Sequence, residues 1–137
     1  MQIRDYRDGD FPAIRRLWER SGIYDPERGD DAASIRECNA RGGSFLVICR
    51  ENGTIVGSSW LTHDGRRLFL HHFCIDPICQ GQGLGRQLAE ASLSYARKIK
   101  RPVKLEVRRD NEAARALYEK LGFTTYENYV PQMNHQP

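Results

Sequence analysis

Apolar and polar positions change their period several times along this chain, and each change marks an element. Residues 1–7 alternate loosely and predict a first, edge strand. Phe11, Ile14, Leu17 and Trp18 then recur at helical spacing and give one apolar face. Asp10 is placed to cap that helix, Pro12 falls in its first turn, and Gly22 ends it. Residues 23–29 read as a loop broken by Pro26, and a second helix is expected from Asp30 or Asp31 to Gly42-Gly43. Phe45, Leu46, Val47, Ile48 and Cys49 follow one another without a polar gap, which predicts a strand over 44–50 buried on both faces. Asn52-Gly53 predicts a type I′ hairpin turn, which needs positive φ at both central residues. The returning strand is 54–62. Asp64-Gly65 makes a second turn, and 66–75 form the next strand, so the centre is an antiparallel meander.

In the second half, Leu84, Leu88, Ala91 and Tyr95 predict the buried face of a long helix over Leu84–Ile99. Lys98, Lys100 and Arg101 suit the negative end of its dipole. Pro102 opens a strand over 103–108, expected to lie parallel to its predecessor through a right-handed crossover. Asp110 or Asn111 caps a last helix lined by Ala114, Leu117, Tyr118 and Leu121, with Gly122 in the left-handed position after it and Phe123 packing back. The expected fold class is mixed α/β: a mostly antiparallel sheet flanked by helices, with one parallel β-α-β crossover.

Composition narrows the classes without choosing one. A chain of 137 residues suits one domain over 1–137 and can bury a proper core. Hydrophobic residues make up 39% and charged residues 28%, as in ordinary globular proteins. The formal net charge of +3, from 21 Lys+Arg against 18 Asp+Glu, is too small to argue for nucleic acid or a membrane surface. There is no apolar run of spanning length and no signal-peptide core, so a cytoplasmic address is expected. Cys38, Cys49, Cys74 and Cys79 form no Cys-x-x-Cys pair and no zinc spacing with histidine. Free thiols and no metal are therefore expected, with Cys74 read as structural rather than as a nucleophile.

The stretch that carries chemistry is Gln80-Gly81-Gln82-Gly83-Leu84-Gly85, between the apolar strand Leu68–Ile75 and the helix from Leu84. The first N–H groups of a helix have no partner inside it, and the dipole there favours an anion. Glycines at that point let a ligand approach the main chain, so the stretch reads as a pyrophosphate cradle. Arg86 stands where a dinucleotide fingerprint needs a third small residue, and no Gly-Lys-Ser/Thr triplet of a P-loop occurs.

What remains, Gln80-x-x-Gly83-x-Gly85, resembles the coenzyme A signature of the GNAT superfamily of N-acetyltransferases. Ile75-Asp76-Pro77 is similar to the turn that closes that family's fourth strand. Leu105-Glu106-Val107, Asn111 and Ala116-Leu117-Tyr118-Glu119-Lys120-Leu121-Gly122-Phe123 resemble its second half, most closely ribosomal-protein N-terminal acetyltransferases. The likeness is close over residues 68–123. Residues 124–137, interrupted by Pro131, are short for the family's closing hairpin.

The resemblance implies acetyl-CoA as co-substrate, no metal, and direct transfer to an amine of a protein or small molecule. It implies contacts to the coenzyme from Cys74, Ile75, Gln80, Gly81, Gln82, Gly83, Leu84, Gly85, Arg86, Asn111 and Tyr118. Main-chain N–H groups near Cys74 and Ile75 would hold the thioester oxygen. Tyr118 would protonate the leaving thiolate, unless it is a packing tyrosine. Glu106 would be the base through water, its pKa raised by partial burial, unless it is an acid on a half-exposed strand. His71 is the rival base, or a histidine bonded within the sheet. His71 and His72 should face opposite ways, so only one can reach the cleft. Tyr24, Asp25, Glu27, Asp30 and Asp31 would form an acidic rim for a cationic amine, or a solvated capping loop. Tyr126 and Tyr129 would add aromatic walls. A homodimer is compatible with this reading. A coenzyme-binding sensor without turnover is the alternative of another class.

Overall fold

Five strands form one sheet in chain order: β1 (Gln2–Asp5), β2 (Ser44–Cys49), β3 (Ile55–His63), β4 (Leu68–Ile75) and β5 (Val103–Leu105). All neighbours are antiparallel except β4 and β5, which are parallel. The helices are α1 (Phe11–Arg20), α2 (Ala32–Ala40), α3 (Leu84–Ile99) and α4 (Glu112–Lys120). This is the mixed sheet that the sequence predicts, with α3 as the parallel crossover. The computed structural model describes all 137 residues and divides into two units, Met1–Glu106 and Val107–Pro137.

In the first unit the sheet carries a core on each face. Ile14, Leu17 and Trp18 of α1 and Ile35 of α2 pack with Phe45, Val47 and Trp60. Leu84 and Leu88 of α3 pack with Ile48, Val56 and Ile75. Phe45 and Val47 thus serve one face and Ile48 the other, which is why β2 reads as a continuous apolar run. The buried face of α3 is made by Leu84, Leu88, Ala89, Ser92 and Ala96. Ala91 and Tyr95, expected there, are only half-buried. Tyr95 instead donates its hydroxyl to Gly42 O at 2.6 Å, tying α3 to the start of β2. Ser92 and Ser59 face each other at 2.6 Å across the second core, satisfying two buried hydroxyls.

Several local expectations are corrected. Asp10 precedes α1 but makes no side-chain cap. Its carboxylate accepts two bonds from Arg4, at 2.8 and 3.0 Å, and one from Arg7 N, which draws it away from the helix end. The Arg4 guanidinium accordingly holds Asp10 below the ordinary carboxylate range. The turn at Asn52-Gly53 is not type I′, because only Gly53 has positive φ. Gly53 N donates to Arg50 O and Arg50 N to Thr54 O, a turn one residue longer than expected. The strand expected over 103–108 ends at Leu105, leaving Glu106 outside it and exposed.

In the second unit, Asn111 caps α4 by accepting from Ala114 N at 3.2 Å. Gly122 has φ +95°, and Phe123 N returns to Tyr118 O at 3.0 Å, closing the helix end. The Phe123 ring lies edge-on to Tyr118, centroids 5.5 Å apart. Residues 124–137 contain no strand, and Tyr126 and Tyr129 are exposed with rings 5.9 Å apart.

Candidate active site

The site is built where β4 leaves the sheet. Parallel pairing with β5 covers only Leu68, Phe69 and Leu70, while β4 runs on to Ile75. The two strands therefore part after Leu70, and the chain of β4 continues into the glycine turn without β5 beside it. Asp76 anchors that exit. Its N–H donates to Val56 O at 2.7 Å, and its buried carboxylate accepts from Ile78 N and from Arg20 at 2.7 Å. Pro77–Cys79 form a short 3-10 turn, and Gln80 folds its amide back onto Ile75 O at 3.1 Å.

Gly81 has φ +81° and Gly83, at the cap position of α3, φ +78°. A Cβ at either would meet no heavy atom within 4 Å, so the dihedral demands glycine and the space in front of the turn is open. The ladder of α3 begins with Gln87 N donating to Gly83 O, so the N–H groups of Leu84, Gly85 and Arg86 lie ahead of it. Leu84 buries its side chain in the core and leaves its main chain at the turn. Gln82 is exposed, and Arg86 pairs along the helix with Glu90 at 3.1 Å. Donors, dipole and open space together fit a pyrophosphate.

Beside this exit, β4 bulges. Ser58 pairs with Cys74 and Trp60 with His71, so Ser59 alone faces both His72 and Phe73. His72 takes φ +46° to absorb the extra residue. The bulge turns both histidines to the face of α1. The Trp60 ring lies 6.1 Å from His71 and 5.8 Å from His72, against the expectation that alternation separates them. His71 Nε2 bonds Thr62 Oγ1 at 2.9 Å, and burial lowers its pKa from 6.5 to about 4. His72 Nε2 meets Asp30 Oδ2 at 2.8 Å, and its ring sits 4.4 Å from Trp18. Ser58 accepts from Trp18 Nε1 at 2.9 Å and donates to His72 O at 2.7 Å, bracing the bulge. Cys74 lies 3.6 Å from Ser58 Oγ, and burial pushes its thiol up, as suits a structural cysteine. The Trp60 indole N–H is buried on this face with no acceptor.

The acidic loop is spent mostly on its own backbone. Asp25 caps the turn Pro26–Arg28 and pairs with Arg28, and Asp31 caps α2 through Ser34 N. Asp30 is 3% exposed and no rim residue: its Oδ2 accepts from Asp25 N at 2.7 Å and also meets His72 Nε2. Glu27 is exposed. Glu106 leaves the sheet one residue after the Leu70–Leu105 pair and is exposed, against the expected partial burial. Asn111 and Tyr118 belong to the second unit, the first as a cap and the second buried at 8% exposure. The Asp30–His72 pair is the feature that sequence reasoning missed. Its only trace was a histidine doublet inside a strand.

Comparison with known proteins assigns the class: this is an acyl-CoA-dependent N-acetyltransferase. Residues 9–123 match the model of the acetyltransferase (GNAT) family, and the chain belongs to that family. An acetyltransferase of Pectobacterium atrosepticum is 35% identical over 132 residues, 93% of this chain and 90% of that protein. The N-alpha-acetyltransferase RimI of Mycobacterium tuberculosis is 41% identical over 103 residues, 69% of this chain and 63% of its own length. The crystal structure of the ribosomal-protein-S18-alanine N-acetyltransferase from Escherichia coli superposes with a TM-score of 0.77 at 27% identity, over 96% of this chain and 84% of that one.

Proposed function

We propose that this chain transfers the acetyl group of acetyl-CoA directly to the amino terminus of a protein, its two units acting as one acetyltransferase domain. The observation that carries the reading is the parting of β4 and β5 beside an open glycine turn at a helix start. Relatives named for N-terminal acetylation support the choice of acceptor. The coenzyme supplies an activated thioester. Main-chain N–H groups of residues 81–86 bind its pyrophosphate, and those near Cys74 and Ile75 polarise the thioester oxygen. Glu106 takes up the proton released by the amine by way of water at the end of β5. Tyr118 protonates the departing thiolate, and Asn111 contacts the coenzyme arm. His71, desolvated and bonded to Thr62, serves the sheet rather than the proton. The reading carries with it a cytoplasmic address and either a lone chain or a homodimer.

The test is an acetyl-CoA turnover screen over peptides of varied first residue and over small amines such as polyamines and amino acids. Calorimetry of acetyl-CoA binding runs alongside. Turnover of peptide amino termini is the expected result. Preference for a small amine would move the acceptor to that class, and binding without any turnover would favour a sensor.

A further inference from the structure

The bulge in β4 brings together groups that the mechanism above leaves unused. Asp30 is buried, its Oδ2 held by Asp25 N at 2.7 Å and facing His72 Nε2 at 2.8 Å. The His72 side chain keeps 21% of its surface exposed, against 3% for Asp30. Ser58 holds the His72 carbonyl, and the Trp18 and Trp60 rings flank the imidazole. A carboxylate accepting from Nε2–H fixes one tautomer and leaves Nδ1 with its lone pair.

We propose that His72, with Asp30 behind it, is the first acceptor of the proton from the incoming amine; this rests on the acyl-transfer reading above. The ammonium group gives one proton to Nδ1. Its nitrogen lone pair then forms the C–N bond at the acetyl carbon as the C–S bond breaks. The nitrogen's second proton leaves to water as the amide forms, and the thiolate takes the proton of Tyr118, which water restores. The proton on Nδ1 passes to water and on past Glu106 to solvent. The imidazolium formed in the first step is stabilised by the Asp30 carboxylate, 2.8 Å from Nε2. The titratable groups around His72 are Asp30 from the loop before α2 and His71 and Cys74 from β4. From α1 and β3 it meets the neutral Trp18, Ser58 and Trp60.

Two measurements on the full chain test this. Nitrogen NMR of the histidine side chains should show His72 protonated at Nε2 and bare at Nδ1 over the pH range of full turnover. His72→Gln should lower kcat at least tenfold and abolish the acidic limb of the pH profile, with acetyl-CoA affinity unchanged. Asp30→Asn should move that limb to lower pH, because the carboxylate that favours the imidazolium is gone. His63→Gln, at the far end of β3, should leave the limb in place. A doubly protonated or Nδ1–H His72 at full turnover would overturn the proposal whatever the variants do. So would a His72→Gln protein with the parent's rate and limb. If the parent itself acetylates no amine, the acyl-transfer reading fails first, and the proposal with it.

Discussion

Arg20, the last residue of α1, and Asp76, at the exit of β4, meet at 2.7 Å across 56 positions of sequence. The pair is asymmetric: the Asp76 side chain is 7% exposed and that of Arg20 48%. Asp76 also receives Ile78 N, so the turn leading to Gln80 hangs from this one carboxylate. Asp76→Asn should destabilise the fold by about 1–3 kcal/mol, the scale for removing a charge from a buried hydrogen-bonded site. Arg20→Ala should cost under about 1 kcal/mol, since its end of the pair is in water. Thermal denaturation of both variants checks the ranking, and equal losses would refute it.

Gly83 is constrained by conformation alone, with φ +78° and no atom near a Cβ. Gly83→Ala should therefore cost about 1–2 kcal/mol of stability through the left-handed dihedral. Gly83→Asp adds a negative charge where an anion is to bind. Calorimetry should show acetyl-CoA affinity reduced at least tenfold, about 1.4 kcal/mol, beyond the loss seen with alanine. Unchanged affinity in the folded variant would remove the cradle assignment.

Tyr118 is buried against Phe123, and phenylalanine keeps that edge-on packing. Tyr118→Phe should hold folding to within about 1 kcal/mol and leave coenzyme affinity in place. Turnover should fall at least tenfold, and the alkaline limb of the pH profile should disappear. Parent-like turnover would make the residue structural.

His71 titrates at about 4 in the folded chain against an ordinary 6.5, so the unfolded chain binds its proton first. Stability from this group is present above the ordinary value and is lost as the pH falls from 6.5 towards 4. His71→Gln should lessen the drop in melting temperature across that window. An identical pH dependence in parent and variant would show that burial does not set this histidine's protonation.

Most of the architecture was legible because its signals are local. Phe11, Ile14, Leu17 and Trp18 announce α1, the unbroken run at 45–49 announces a two-sided strand, and Gly81 and Gly83 announce the turn. Asp10 misled because its cap competes with Arg4, a partner from β1 that no helix rule contains. Ala91 and Tyr95 misled because a face read at ideal spacing is shifted by what α3 packs on, down to the Ser59–Ser92 contact. Glu106 lay in an apolar pattern, yet β5 ends before it, since a strand's length depends on its neighbour as well as its own residues. The bulge was invisible for the same reason: two residues of β4 facing one of β3 is a property of the pair.

The slip at that extra residue also sets the phase of everything after it in β4. Phe73 and Ile75 pack with α3 and Cys74 with α1 only because the count slips by one at His72. A chain lacking His72 would restore strict alternation with His71 and Cys74 still toward α1 and Phe73 and Ile75 still toward α3. A single-codon deletion at this point would therefore spare both cores and take away one imidazole from the α1 face. The extra residue is an addition that the sheet accommodates, not one that its packing requires.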